Sequence, residues 1–353
     1  MVDSGGGGRW LVGVASALFV LATLAEGFET FVLPRRVLRR LRFARLWFRE
    51  SWRLWAAVGR RVRDEERREG VLAVYGPVSL LGLLAAFAAA LILGFAGLHW
   101  ALGSSLDART AGPPGFFTDL YLSGTTLFTL GLGDVAPRTA AAKAITVLES
   151  GIGLGFLALA VAYLPVLYQA FSQRETAITL LDARAGSPPH AAGLLSGCPG
   201  KTGVEQLLRD FELWIAQTME SHLSYPVLAF YRSQHAGQSW LSALTAILDV
   251  CVLVLANEQD PITAQAKLTL RIGQHALSDL SRVLGADAPK EVDEGRRLGP
   301  LEIVLLEARL PNGYKATGEA GERLRELRRS YEPQVEGLSR LLVMPLPAWW
   351  RDE

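Results

Sequence analysis

The sequence is poor in cysteine and carries no excess charge of either sign. Its 353 residues include two cysteines, Cys198 and Cys251, too few for a disulfide scaffold or a cysteine-based metal site. The balance of 36 basic and 35 acidic residues leaves a net charge of +1, which offers no general attraction for nucleic acid. Half of the residues are hydrophobic and the mean hydropathy is +0.22, which is high for a soluble chain. This composition points to a membrane protein.

Long apolar runs occur in three places in the first half of the chain. A hydrocarbon core of about 30 Å requires roughly 20 residues of helix, and the runs at 10–33, 74–102 and 140–171 are long enough. The segment 240–256 is also apolar, but it is short and contains Asp249, whose charge costs about 2.5–3.5 kcal/mol at mid-bilayer. We therefore predict three transmembrane helices and interpret 240–256 as a buried helix of a soluble bundle, with a membrane span as the alternative.

Positive charge is concentrated between the first two apolar runs. Residues 34–70 contain 13 arginines and 5 acidic residues, and the positive-inside rule places such a loop in the cytoplasm. The N-terminus is then predicted outside and residues 173–353 inside, with the protein in the plasma (inner) membrane. The arginines and tryptophans of segment 35–60 have the spacing of a helix lying on anionic lipids, and a topology signal alone is the alternative interpretation.

A motif with unusual backbone chemistry separates the second and third runs. Residues 116–128 form a short apolar segment that cannot span a membrane, and the stretch 129–133, TLGLG, follows it. Its alternate glycines permit positive φ, so that successive carbonyls can turn to one side. Non-helical backbone at membrane depth is tolerated only where protein buries it or where it lines a water-filled path. A ring of such carbonyls can replace the hydration shell of a monovalent cation.

This stretch resembles the filter signature TxxTxGxGD of the potassium-channel pore-domain family. The string TLFTLGLGD supplies the fixed residues of that signature, namely Thr126, Thr129, Gly131, Gly133 and Asp134. The resemblance covers roughly residues 74–172. It implies an all-α membrane protein with three transmembrane helices, a re-entrant pore helix and a selectivity filter per subunit, followed by a helical cytoplasmic domain.

The resemblance also implies a function and an assembly. Potassium ions would be bound by the Thr129 hydroxyl and by backbone carbonyls of the filter residues Thr129, Leu130, Gly131, Leu132 and Gly133. Because one chain has one such loop, a homotetramer is implied. The expected function is passive, potassium-selective conduction with no cofactor besides the permeant ion and no enzymatic activity.

Several residues are expected to support the filter. Leu132 stands where most filters of the family have tyrosine, and Tyr121 lies where many members have tryptophan, so we expect a less rigid filter with measurable sodium permeability. Thr126, Asp134, Tyr121 and Glu149 are the predicted supporting residues. Glu149 is expected behind the filter, near the Thr125 end of the pore helix, or else at the outer interface. His99 is expected at the outer interface.

Three glycines in the third run, Gly151, Gly153 and Gly155, suggest either a gating hinge or close helix packing. Gly153 lies near the position of the hinge glycine in the family. Pro165 removes a helical hydrogen bond and predicts a kink in the cytoplasmic third of the helix. We therefore assign a possible gating role to these four positions, with packing as the alternative for the glycines.

The chain is predicted to contain three parts. Residues 1–73 hold the first helix and the arginine-rich segment, 74–172 the pore, and 173–353 a helical regulatory or assembly domain. No catalytic motif occurs in the last part, and Gly200-Lys201-Thr202 lacks the upstream glycine of a phosphate-binding loop. A weakly selective sodium and potassium channel and a non-conducting membrane scaffold or sensor are the alternative functions.

Overall fold

The computed structural model of the protein is almost entirely helical, which confirms the predicted all-α fold class. Its described part contains twelve α-helices, a 3₁₀ helix at Pro226–Phe230 and two three-residue strands. The structure describes residues 4–33, 43–104, 106–108, 115–234, 237–257, 262–287, 289, 298–311 and 313–350.

Three helices are long and apolar enough to cross a membrane, as predicted. They are α1 (Ser4–Phe31), α3 (Glu65–Ala101) and α5 (Ala140–Ala185). Helices α3 and α5 are several residues longer than the apolar runs from which they were predicted. Helix α3 begins at two acidic residues, whose charge is favourable at a helix N-terminus, and α5 continues through Pro165 and ends only before Gly186, which has φ +79°.

The described structure divides into two compact units. The first unit comprises Met1–Phe48 and Val78–Val166, and the second comprises Arg49–Pro77 and Leu167–Glu353. Helix α2 (Phe43–Gly59), α3 and α5 each contribute residues to both units.

In the first unit, α1 packs closely against α3. A Cβ atom at Gly94 or Gly97 of α3 would overlap the side chains of Val20 and Ser16 of α1, so glycine is required for this approach. A core cluster joins α1, α3 and the helix α4 (Phe116–Leu127), and residues of α5 pack against it. The buried members of this cluster are Val20, Ala88, Leu91, Phe95 and Leu127.

Two short strands flank the helix α4 in the chain. Strand β1 (Leu106–Ala108) pairs antiparallel with β2 (Val135–Pro137), with Asp107 opposite Ala136. The sequence does not predict these strands, because three residues are too few for an alternating pattern to be recognised. The pairing brings together the chain segments that precede α4 and follow the TLGLG stretch.

The second unit is a helical bundle built around α8 (Trp240–Ala256). Nearly every residue of α8 is buried, and Asp249 accepts a hydrogen bond of 2.5 Å from the Tyr331 hydroxyl. This agrees with the interpretation of 240–256 as a buried core helix, since protein rather than lipid covers it. The surrounding helices are α6 (Ala191–Gly197), α7 (Gly200–Ser224), α9 (Ile262–Leu284), α10 (Pro300–Glu307), α11 (Gly318–Arg328) and α12 (Glu332–Leu342).

The tryptophans of α2 face protein, although the sequence spacing grouped them with the arginines on one predicted surface. Their indole N–H groups donate to backbone carbonyls: Trp47 to Ser79 at 2.9 Å, Trp52 to Leu341 at 2.7 Å and Trp55 to Val71 at 2.9 Å. The arginines predicted at 35–42 lie outside the described residues. The outward face of α2 instead carries arginines together with aliphatic side chains.

A buried polar cluster anchors the last part of α5 in the second unit. The Arg174 guanidinium donates to the carbonyls of Leu228 and Tyr231, each at 2.9 Å, and lies 3.2 Å from His222 Nε2. His222 Nδ1 lies 2.7 Å from the Thr218 carbonyl. The imidazole therefore donates at Nδ1 and accepts at Nε2, which is the hydrogen-bonding pattern of a neutral ring. Burial and the nearby Arg174 charge lower the pKa of His222 well below 6.5.

The buried neutral His222 makes the stability of the protein depend on pH. Below the ordinary histidine pKa of about 6.5 the unfolded chain takes up a proton that the folded chain does not, which costs about 1.4 kcal/mol per pH unit. We expect the melting temperature in detergent to fall between pH ~7 and ~5.5, and the His222→Gln variant to show a smaller fall. The exposed His275 provides the control, because His275→Gln should keep the wild-type pH dependence. Equal pH dependence in all three proteins would contradict the assignment.

Candidate functional site

The TLGLG stretch begins where α4 ends. The amides of Phe128, Thr129 and Leu130 still donate to carbonyls of the last helical turns, at 3.1, 3.0 and 2.7 Å respectively. The acceptors are Gly124, Thr126 and Thr125. Leu130 is the last residue of this stretch whose amide returns to the helix, so the end of α4 fixes the position at which the non-helical backbone starts.

The backbone of the stretch alternates in conformation. Thr129, Gly131 and Gly133 have φ values of +57°, +54° and +76°, whereas Leu130 and Leu132 between them do not have positive φ. The glycines were predicted to permit this geometry. Thr129 was not predicted to adopt it, because a β-branched residue rarely has positive φ. Strain of this kind persists only where the surrounding structure enforces it, and it clusters at functional sites.

The same stretch is uncovered in the single chain. Residues 128–133 are all exposed, and the side chains of Leu130 and Leu132 reach 62% and 65% exposure. Thr126, immediately before them, is buried. Non-helical backbone and large apolar side chains are thus presented together on one side of the first unit.

The far end of the stretch is tied back to α4. The Tyr121 hydroxyl donates to Asp134 Oδ2 at 2.9 Å, and Asp134 Oδ1 accepts from the Val135 amide at 3.1 Å. Tyr121 and Asp134, which were both predicted as supporting residues, are therefore direct partners. This bond links the first half of α4 to the residue that follows Gly133.

Glu149 of α5 packs against α4 and is fully buried. Its Oε1 contacts the Ser123 hydroxyl, which also lies 2.9 Å from the Ile92 carbonyl of α3. His99 Nε2 lies 3.6 Å from Glu149 Oε2, and only 1% of His99 is exposed. The expectation of an interfacial His99 was therefore wrong, and so was the alternative position of Glu149 at the outer interface. Both side chains are covered by the packed helices α3, α4 and α5.

Sequence reasoning missed three polar residues of this region: Asp119, Ser104 and Ser123. Asp119 is fully buried, accepts a hydrogen bond of 2.6 Å from the Ser104 hydroxyl and interacts electrostatically with His99. The sequence contains a signal for two of these residues. Asp119 lies four positions before Ser123 on one short helix, and residues with this spacing share a helix face. Among the described residues, no group of three or more histidine, cysteine or acidic side chains is placed to hold a metal ion.

The three glycines of α5 have different environments. A Cβ atom at Gly153 would overlap the backbone carbonyl of Leu127 at the end of α4, whereas a Cβ atom at Gly151 or Gly155 would meet nothing within 4 Å. Close packing therefore explains Gly153, and no described residue covers the other two positions. Pro165 lies within continuous α5, one residue before the boundary between the two units.

Comparison with known proteins identifies an ion-channel segment. The profile of an ion channel family matches residues 82–169, which include most of α3, all of α4, the exposed stretch and much of α5. The similarity to an ion channel family thus covers about a quarter of the chain.

A bacterial membrane protein is similar over part of the chain. YdjJ of Bacillus subtilis (strain 168), described as an uncharacterized membrane protein, is 26% identical over 152 residues. The aligned region covers 43% of this chain and 44% of YdjJ, so it spans less than half of that relative. No solved structure matches the chain significantly.

The packing of Gly153 predicts an unequal response to alanine along α5. Gly153→Ala forces a methyl group into the α4 backbone, and overpacking of this kind costs about 1–3 kcal/mol, so we expect a lower melting temperature in detergent. Gly151→Ala and Gly155→Ala are matched controls on the same helix, and both should melt close to wild type. A Gly153→Ala protein as stable as these controls would contradict the packing.

Proposed function

We propose that this protein is a homotetrameric, potassium-selective channel that conducts passively. The carbonyls of Thr129, Leu130, Gly131 and Leu132, with the Thr129 hydroxyl, form the ion sites at the shared axis. Gly133 completes the filter and Asp134 ties it to α4. The match to an ion channel family supports conduction in general, and the potassium selectivity and the tetramer are the further content of this proposal.

One observation carries the proposal: the stretch 128–133 is exposed in a single chain although it follows an apolar helix of an ion-channel domain. Polar backbone at membrane depth requires partners, and lining a water-filled path supplies them. Alternating positive φ at Thr129, Gly131 and Gly133 is the conformation that turns successive carbonyls to a common side. Since one chain contributes one strand of such a lining, four copies are needed to enclose the ion.

The pore helix contributes an electrostatic preference for cations. The C-terminal end of a helix carries the negative end of its dipole, equivalent to about half an elementary charge. Helix α4 ends at Leu127, directly before the filter, so this negative end faces the ion path. Four such ends around one axis favour a cation over an anion in the cavity next to the filter.

Orientation and lipid contacts complete the proposal. The N-terminus lies outside the plasma membrane, and residues 173–353 form a cytoplasmic domain for assembly or regulation. The exposed residues of α2 include Arg45, Arg49, Arg53, Leu46 and Leu54, the last 74% exposed. Glu50 pairs with Arg49 and Arg53, which leaves a net positive charge on this face. This face suits anionic lipid headgroups, because arginines pair with phosphate while aliphatic groups enter the boundary. Gly151 and Gly155 remain candidates for gating, together with Pro165.

A weakly selective sodium and potassium channel is the second candidate. The observation that favours it is Leu132, which is exposed and brings no hydroxyl group to bond the surrounding pore helices. The hydrogen bond from Tyr121 to Asp134 favours the potassium-selective channel, because it restrains the end of the filter. Mixed-ion measurements decide between the two candidates.

The proposed function is tested by rubidium uptake into proteoliposomes that contain potassium. Wild-type protein should take up the tracer, and excess external sodium should not compete. Gly131→Ala places a side chain where φ is +54°, at a strain of about 1–3 kcal/mol per subunit, and should abolish uptake. Gly70→Ala is the control, because Gly70 lies in α3 with no neighbour within 4 Å and should leave uptake intact.

Three results of this experiment would contradict the proposal in different ways. Competition by sodium favours the weakly selective channel. Uptake by Gly131→Ala equal to wild type places the ion path elsewhere. No uptake by the wild-type oligomer favours a non-conducting scaffold or sensor.

The Tyr121 bond makes a separate prediction about selectivity. Tyr121→Phe removes the hydrogen bond to Asp134, so the filter should loosen and the permeability of sodium relative to potassium should rise. Tyr168→Phe is a matched control, because this tyrosine lies on α5 and is 66% exposed. Reversal potentials in mixed potassium and sodium measure the effect. Unchanged reversal potentials in Tyr121→Phe would show that the bond does not restrain the filter.

A further inference from the structure

Ser123 of the pore helix contacts both α3 and α5 through polar groups. Its Oγ lies 2.9 Å from the Ile92 carbonyl of α3 and in short contact with Oε1 of Glu149 on α5. Ser123 and Glu149 are both fully buried. The filter begins six residues after Ser123 on the same chain segment, so this contact helps to set where the filter starts.

The protons available at this contact are limited. A serine hydroxyl has one proton to donate, and a backbone carbonyl has none. Ser123 Oγ therefore satisfies only one of its two oxygen neighbours by donation. The other oxygen–oxygen contact requires a proton from the neighbour of Ser123. Since the Ile92 carbonyl has none, this proton must be carried by the carboxyl group of Glu149.

The surroundings of Glu149 agree with a protonated carboxyl. A charge-assisted bond from an imidazolium to a carboxylate has a length of about 2.7–2.9 Å, whereas His99 Nε2 lies 3.6 Å from Glu149 Oε2. Asp119, which interacts with His99 from α4, is a second acid near the same imidazole. No described basic side chain makes a short ion pair with Glu149. A buried carboxylate whose nearest basic group is 3.6 Å away is poorly compensated, and a buried group of this kind takes up a proton instead.

We infer that Glu149 is a neutral carboxylic acid that donates its proton to Ser123, and that these two residues position the pore helix for conduction. The Ser123 hydroxyl in turn donates a hydrogen bond to the Ile92 carbonyl. The hydrogen bonds then run in one direction, from α5 through α4 to α3. Gly153, one helical turn from Glu149, brings the same face of α5 onto the end of α4. The inference rests on the proposed function, because its readout in transport is the ion flux.

The test compares Glu149→Gln, which can still donate a hydrogen bond to Ser123, with Glu149→Ala, which cannot. Glu149→Gln keeps the shape and supplies an amide N–H to Ser123, so rubidium flux should stay within about twofold of wild type. Glu149→Ala and Ser123→Ala break the chain of hydrogen bonds, and each should lower the flux about tenfold, the factor that corresponds to one buried hydrogen bond. A loss of flux in Glu149→Gln equal to that in Glu149→Ala would overturn the inference, because an ionised carboxylate would then be required.

An infrared spectrum tests the proton itself and does not depend on conduction. The wild-type protein at neutral pH should show the carbonyl stretch of a protonated carboxyl group, and the difference spectrum against Glu149→Gln should isolate it. Glu66→Gln is the matched control, because Glu66 is exposed at the start of α3 and should leave this band unchanged. Absence of the band from the wild-type minus Glu149→Gln difference would also overturn the inference.

The two measurements separate this inference from the proposed function. Wild-type protein that carries the band but takes up no rubidium overturns conduction and supports the neutral carboxyl. Wild-type protein that conducts but lacks the band overturns the neutral carboxyl alone. If Glu149→Ala and Ser123→Ala fail to yield a folded protein, the flux of Glu149→Gln and the infrared band decide the question.

Discussion

The peptide groups that follow α4 need partners that the described part of their own chain does not supply, and this constraint governs the first unit. Beyond Leu130 the backbone leaves the hydrogen-bonding pattern of α4 and becomes exposed. An unsatisfied polar group in an apolar medium costs several kcal/mol. In the proposed assembly, ions, water and the other subunits meet this requirement.

Much of the surrounding structure serves to hold this backbone in place. Helix α4 is fixed from behind by three kinds of contact: the apolar cluster around Leu127, the close approach of Gly153, and the polar contacts of Ser123. The bond between Tyr121 and Asp134 holds the other end of the TLGLG stretch. Strain at Thr129 can persist only because these restraints act together.

The parts of the structure that depend on local pattern were predicted from the sequence. Apolar length indicated the three long helices, the alternate glycines indicated positive φ at Gly131 and Gly133, and Asp249 indicated that α8 is covered by protein. Sequence reasoning left two positions open for Glu149, near the Thr125 end of α4 or at the outer interface, and only the packing of the helices shows its contact with Ser123 of α4.

The parts that depend on contacts between distant residues were not predicted. His99 and Glu149 are 50 positions apart in the sequence, and their proximity follows from the packing of α3, α4 and α5. The tryptophans of α2 show the same limit, since Trp52 donates to Leu341 from a segment whose spacing also suits a lipid surface. Helical periodicity indicates which residues share a face, but it does not indicate what covers that face.

The central claim is that four copies of the exposed stretch enclose one ion path. The mass of the detergent-solubilised, purified protein, measured under conditions that preserve its assembly, tests this claim most directly. The account predicts a complex of four chains of 38.3 kDa each. A monomer, dimer or trimer as the stable, conducting species would contradict it, because the filter backbone would then lack the copies that complete its lining.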